Sequence, residues 1–98
     1  MRIMIVDDYE VVRLGLNNLL ARQPGWQVVA EAGTVANAIQ LADEYEPDVV
    51  LMDIRLGHES GIDACREIVR AHPHTKVIML TSFADDDLLF NAISPAFH

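Results

Sequence analysis

Apolar positions along the chain follow two alternating rhythms. Arg2 to Val6 is a short apolar, β-branched run, the mark of a buried strand. From Tyr9 to about Gln23 the period lengthens. Val12, Leu16, Leu19 and Leu20 fall at i, i+4, i+7 and i+8, the stripe of an amphipathic helix, and Pro24-Gly25 ends it. Trp26 to Ala30 predicts a second, weaker strand at an edge. Thr34 is placed to cap a helix running to about Tyr45, with Ala38, Ile39 and Ala42 on its inner face and Pro47 as its stop. In "DVVLMDIRLG", Asp48 to Gly57, a continuous apolar run predicts a third strand that ends on Asp53. "SGIDACREIVRAH" predicts a third helix, with Ser60 and Asp63 at capping-box spacing (the box prefers Glu at its last position) and Pro73 ending it. Lys76 to Leu80 is a fourth apolar strand, followed by "TSF". Asp85, Asp86 and Asp87 then open a fourth helix, where negative charge suits the helix dipole.

The order β-α-β-α-β-α-β-α predicts an α/β fold with right-handed crossovers, a doubly wound parallel sheet and helices on both faces. The 98 residues suffice for one small domain, with no repeats, low-complexity tracts or linkers.

In a parallel sheet the C-terminal strand ends share one edge, where ligands bind in open α/β folds. Asp7 and Asp8 follow the first strand, Asp53 ends the third and Thr81 follows the fourth. Each has a bland alternative. An Asp-Asp pair before a helix is often an N-cap with a dipole-friendly neighbour, Asp53 could cap the next loop, and Thr81 alone means nothing. Together on one edge they are far more specific. Clustered carboxylates need a counter-charge. Oxygen ligands without His or Cys suit a hard ion such as Mg²⁺, and such a site suits phosphoryl transfer to a nucleophilic carboxylate.

Charge narrows the choice. The formal net charge is −8, from fifteen acidic and seven basic residues, which argues against nucleic-acid binding by this chain. It fits a cation site or a basic partner, although most of these charges read as a solvated acidic surface. The lone Cys65 cannot form an internal disulfide. It lies inside the third helix as a small side chain rather than a redox sensor. "MRIMIVDDYE" is not a signal peptide, and no segment is long and apolar enough to span a bilayer, so a cytoplasmic location without membrane contact is expected. His72 and His74 flank a proline and read as a solvent loop rather than a metal pair. Phe83 and Phe90 read as packing residues, and His98 carries no assignment.

"IMIVDDYEVVRLGL", "DVVLMDIRL…SGIDACREI" and "KVIMLTSF" resemble, in order and spacing, a response-regulator receiver domain of two-component signalling, similar to the NarL/FixJ type that precedes a LuxR-type output domain. The resemblance implies a flavodoxin-like (CheY-like) sheet with strand order 2-1-3-4-5. It implies that Asp53 is the phosphoacceptor, that Asp8 binds Mg²⁺ directly and Asp7 through water, and that the Arg55 backbone carbonyl is a further metal ligand. Thr81 is then the switch hydroxyl and a sensor histidine kinase, or a small phosphodonor, the donor. The chain is a phosphoacceptor rather than an enzyme in this family, and DNA is reached only through a separate output domain.

Two departures stand out. Gly57 occupies a position where the family usually has proline, which is expected to loosen the loop. The chain also ends at "NAISPAFH", where a fifth strand carrying a lysine and a switch aromatic is expected to begin. The one lysine, Lys76, starts the fourth strand, roughly five residues at 3.3 Å each from the acidic end. An incomplete receiver, truncated after the fourth helix, is the expectation, with self-association as a dimer or swapped oligomer through the fourth strand edge and the fourth helix around Leu89 and Ile93. Two alternatives stand beside it. A haloacid-dehalogenase-like phosphohydrolase needs a second acid two residues after the nucleophile, where this chain has Arg55. A receiver-like interaction module would not be productively phosphorylated.

Overall fold

Strands and helices fall where the switches of period and the prolines place them. The computed structural model describes residues 1–80. Its elements are β1 (Arg2–Val6), α1 (Glu10–Leu20), β2 (Gln27–Ala32), α2 (Val35–Tyr45), β3 (Val49–Asp53), β4 (Arg55–Leu56), β5 (Glu59–Ser60), α3 (Gly61–Ala71) and β6 (Lys76–Leu80). Thr81, Phe83, Phe90, His98, the helix expected from Asp85 and the contact around Leu89 and Ile93 lie outside the described residues.

β1, β2, β3 and β6 form one parallel sheet in the order β2-β1-β3-β6, the flavodoxin-like arrangement expected. Register is regular across the centre, where Val6 stands beside Met52 and Met52 beside Met79. A shift between Ile3 and Met4 marks the β1–β2 pair. At the N-terminal edge the Asp48 carboxylate accepts the Arg2 amide at 2.7 Å, and the buried Thr75 hydroxyl donates to the Pro47 carbonyl at 2.7 Å. Those bonds satisfy backbone groups that the turns would otherwise strand.

The main core lies between the sheet and α2 and α3. Met4, Val6, Val50, Met52 and Met79 from the strands meet Ala38, Ala42, Ala64 and Ile68. Thr34 caps α2 as expected, its Oγ1 accepting the Asn37 amide at 3.1 Å. Glu46, at φ +45, closes the helix before Pro47.

Several expectations are corrected. The first helix is shorter than the expected Tyr9–Gln23 span, and its stripe is only half-buried. Leu19 points away from the core at 59 % exposed, because it lies at the edge of the stripe whose Val12, Leu16 and Leu20 are the half-buried members. β2 begins at Gln27 and leaves Trp26 outside, 41 % exposed. The capping box does not form. Ser60 Oγ accepts from the Ile62 amide at 3.2 Å, and Asp63 faces Arg66 at 4.0 Å on an exposed surface. His72 is not a solvent-loop residue. It ends α3, and its Nε2 lies 2.7 Å from Asp43 Oδ1 of α2. His74 is exposed, as expected.

The segment after Asp53 is not a loose loop either. β4 and β5 pair antiparallel, Arg55 with Ser60 and Leu56 with Glu59, around Gly57-His58. Gly57 adopts φ +62 at the first central position of this two-residue turn, where the II′ geometry calls for glycine. Leu56, 2 % exposed, anchors the hairpin in the core.

Candidate functional site

β1 and β3 are neighbours and point the same way, so their last residues open onto one edge. Asp7, Asp8 and Asp53 meet there, each offering a carboxylate oxygen, with these oxygens within 4.8 Å of one another. Asp7 and Asp53 are buried, and Asp8 is the most open of the three. Each carboxylate accepts one backbone amide. Asp7 Oδ1 takes that of Tyr9 at 2.8 Å, Asp53 Oδ1 that of Arg55 at 3.3 Å, and Asp8 Oδ2 that of Gly57 at 3.1 Å.

Burial pushes the Asp53 carboxyl up to about 6 from its ordinary 3.8. The Arg55 amide opposes this, and Asp7 and Asp8 add to it by repulsion. Asp7 is raised as well, chiefly by burial, against the pull of the Tyr9 amide. An oxygen-only donor set this tightly grouped, and this poorly disposed to ionise unaided, fits a hard divalent cation such as Mg²⁺.

Sequence order alone does not show what braces the site. The Arg13 guanidinium on α1 donates to the Asp7 backbone carbonyl and pairs with Glu31 at 3.5 Å, while Asn17 donates to the same Glu31 at 3.1 Å. These contacts fix the end of β1 against α1 and β2. Gly61 begins α3 directly beneath Asp53. Its amide donates to the Ile54 carbonyl at 2.6 Å, and a Cβ there would overlap the Asp53 carbonyl oxygen. The "SG" at the helix start was the available signal for that contact; nothing comparable pointed to Arg13.

Arg55 lies two residues beyond Asp53 on the hairpin with its side chain exposed, and the contact it makes with Asp53 is through its amide. Lys76 is exposed at the far end of β6, four register steps from the Leu80–Asp53 pair, and so lies at the opposite edge of the sheet. Cys65 is half-buried against the core, and burial pushes its thiol up, away from the reactive thiolate. No helix among the described residues is long and apolar enough to cross a membrane.

A family model described as the response regulator receiver domain matches residues 3–97. The Bacillus subtilis (strain 168) transcriptional regulatory protein LiaR is 41 % identical over 92 residues, covering 94 % of this chain and 44 % of that protein. The Mycobacterium tuberculosis DNA-binding transcriptional activator DevR/DosR is 40 % identical over 92 residues, covering 94 % of this chain and 42 % of that protein. The chain thus spans less than half the length of these curated relatives. Among solved structures, a LuxR-family two-component response regulator from Aurantimonas sp. SI85-9A1 superposes with a TM-score of 0.80 at 37 % identity, covering 93 % of this chain and 65 % of that one. The response regulator domain of Thermotoga maritima CheB gives 0.77 at 30 %, covering 96 % and 74 %.

Proposed function

Because the chain belongs to the response regulator receiver domain family, we propose that Asp53 is a phosphoacceptor whose modification switches a signalling output. The observation that carries this is the meeting of Asp7, Asp8 and Asp53 at the ends of β1 and β3. An Asp53 carboxylate oxygen attacks the phosphorus of a phosphohistidine on a sensor histidine kinase, or of a small acyl phosphate. The bond to the leaving group breaks in line, and an aspartyl phosphate forms. Asp7, Asp8, Asp53 and the Arg55 carbonyl would hold Mg²⁺, which offsets charge on the transferring group. Thr81, directly after the Leu80 that pairs with Asp53, supplies a hydroxyl to a phosphoryl oxygen.

The chain is thus a phosphoacceptor domain in residues 1–98 rather than a turnover enzyme, acting in the cytoplasm where kinase and phosphodonor are found. Relatives named as transcriptional regulators support a DNA-binding output in the longer protein, with no nucleic-acid contact by this chain. Self-association belongs to the same proposal. β6 ends the described sheet, and sedimentation at several concentrations is expected to show a dimer or larger species.

Intact-mass measurement after acetyl phosphate treatment with Mg²⁺ tests the central claim. One phosphoryl group is expected on the unchanged chain and none on Asp53→Asn. A phosphoryl group gained by Asp53→Asn would place the acceptor elsewhere.

A further inference from the structure

We propose that Arg13 is a positioning residue for the divalent cation, its guanidinium holding the Asp7 carbonyl and so fixing the peptide that joins Asp7 to Asp8. This rests on the cation site proposed above. Asp7 is buried and lies just past Val6, the last residue of β1. Its amide still reaches the Ala32 carbonyl at 3.0 Å. Its own carbonyl takes Arg13 Nη1 of α1 in place of a strand partner. A buried carbonyl without a donor is costly, and the guanidinium removes that cost. The peptide unit is planar, so a bond to its oxygen restrains ψ of Asp7 and φ of Asp8 together. Both carboxylates hang from that one plane.

The guanidinium is itself held in place. Its Nε faces Glu31 Oε1 at 3.5 Å, and Asn17, one turn further along α1, donates to Glu31 Oε2 at 3.1 Å. Gly33, just past β2, completes the slot. A Cβ there would lie 3.3 Å from Arg13 Nη1 and 3.7 Å from the Asp7 carbonyl oxygen. Gly33 does not have a positive φ, so room for this contact accounts for the glycine where backbone conformation does not. A planar fork can face a carbonyl and a carboxylate at once in fixed directions, which a lysine ammonium cannot. Mg²⁺ demands near-octahedral geometry and responds strongly to groups that orient its ligands. On charge alone the arrangement is adverse, because a guanidinium beside three carboxylates repels the cation they attract. Position and charge therefore predict opposite signs for the loss of Arg13.

Mn²⁺ as a probe, titrated into the full chain and read by water-proton relaxation, separates the two. Arg13→Met is expected to bind Mn²⁺ about tenfold more weakly, the low end for losing a group that orients a ligand. Equal or tighter binding, as charge alone predicts, overturns the proposal. Arg13→Lys keeps a charged donor and is expected to bind more tightly than Arg13→Met; equal or weaker binding overturns the proposal. Leu16→Ala trims another half-buried side chain of α1. It is expected to lower the melting temperature and leave Mn²⁺ affinity unchanged. A loss of affinity equal to that of Arg13→Met would trace the effect to the docking of α1 and overturn the role of the guanidinium.

A second measurement needs no substitution. A group that favours cation binding must, by reciprocity, be favoured in its place by the cation. In the unchanged chain, saturation with Mg²⁺ is expected to slow hydrogen exchange of the Arg13 guanidinium. Exchange that is unaltered or faster overturns the proposal. Mn²⁺ binding that survives Asp8→Ala combined with Asp53→Ala overturns the cation site and the proposal together. Binding that requires those carboxylates but ignores residue 13 overturns the proposal alone.

Discussion

On the face of the sheet covered by α2 and α3, Ala38, Ala42 and Ala64 are completely buried and Ile68 is 1 % exposed. On the other face α1 has no buried residue, and its Val11, Leu14 and Leu19 are 80, 60 and 59 % exposed. In β3 and β6 the strand residues follow suit, whereas in β1 Ile3 and Ile5, which alternate with Met4 and Val6, are fully buried. Val50 and Met52 are sealed under α2 and α3, whereas Leu51 and Ile78, which alternate with them, are half-buried. The tight face is therefore built from smaller helix residues than the open one. Alanine lets a helix backbone approach the sheet until the strand side chains fill the gap, and close packing rather than side-chain size sets the burial. Two helices share that face; among the described residues, α1 on the other lies against β1 and β2.

The largest test of this contrast is a pair of truncations. Ile68→Ala should cost about 2–5 kcal/mol, the range for large-to-small changes in a packed core. Leu19→Ala, removing a bigger apolar stem than any alanine on α2, should stay within about 0.5 kcal/mol. Urea unfolding of both variants measures the difference, and equal losses would mean that α1 carries as much of the core as α3.

That asymmetry was only half legible in the sequence. Prolines 24, 47 and 73 and the changes of period place every main strand and helix of residues 1–80, because chain-breaking and side-chain alternation are local. Asp7, Asp8 and Asp53 could be brought to one edge because parallel strands leave no other choice. Leu19 was misplaced because i+7 falls at the edge of the apolar stripe, beside the half-buried Val12, Leu16 and Leu20, and periodicity does not say how wide a stripe the sheet covers. The β4–β5 hairpin was missed because two-residue strands are too short to show alternation. The Gly57–Asp8 and His72–Asp43 bonds join residues 49 and 29 positions apart, and only tertiary packing brings such partners together.

A smaller effect, on the same tight face, concerns its junction with the site. Gly61→Ala forces a methyl group into the Asp53 carbonyl, and the start of α3 must retreat. The expected loss is about 1–3 kcal/mol, as for overpacking elsewhere, accompanied by weaker Mn²⁺ binding as Asp53 shifts. Gly15→Ala on α1, where nothing lies within 4 Å, should be neutral or stabilising. If both behave alike in thermal melts, α3 is not pressed against Asp53 as described.

Protonation tests the seam between the faces. Asp53 has its carboxyl raised to about 6 in the fold against an ordinary 3.8, so the folded chain holds the proton more tightly than the unfolded one. Its contribution to stability is then fully present below the ordinary value and is lost as pH rises through about 6. Asp53→Asn, which cannot ionise, should melt higher than the unchanged chain above that pH, with the gap closing toward acid. Mg²⁺ should narrow the gap from the other side by stabilising the ionised site. A gap independent of pH would show that Asp53 is not held in the strained, desolvated state its burial implies.

The smallest effect separates polar ties from packing within the tight face itself. His72 and Asp43 join the end of α3 to α2, at 2.7 Å, and the pair is an ion pair only when the imidazole is protonated. His72 is largely enclosed, but Asp43 is 63 % exposed, so water screens the attraction and the contact adds little beyond a neutral hydrogen bond. Asp43→Asn should therefore cost at most about 1 kcal/mol. Cation affinity should not change at all, because the pair caps the end of α3 remote from Gly61 and Asp53. Thermal melts of the variant and the unchanged chain decide the matter. A loss comparable to Ile68→Ala would mean that α2 and α3 are held together by charge, and that the buried alanines record their closeness rather than cause it.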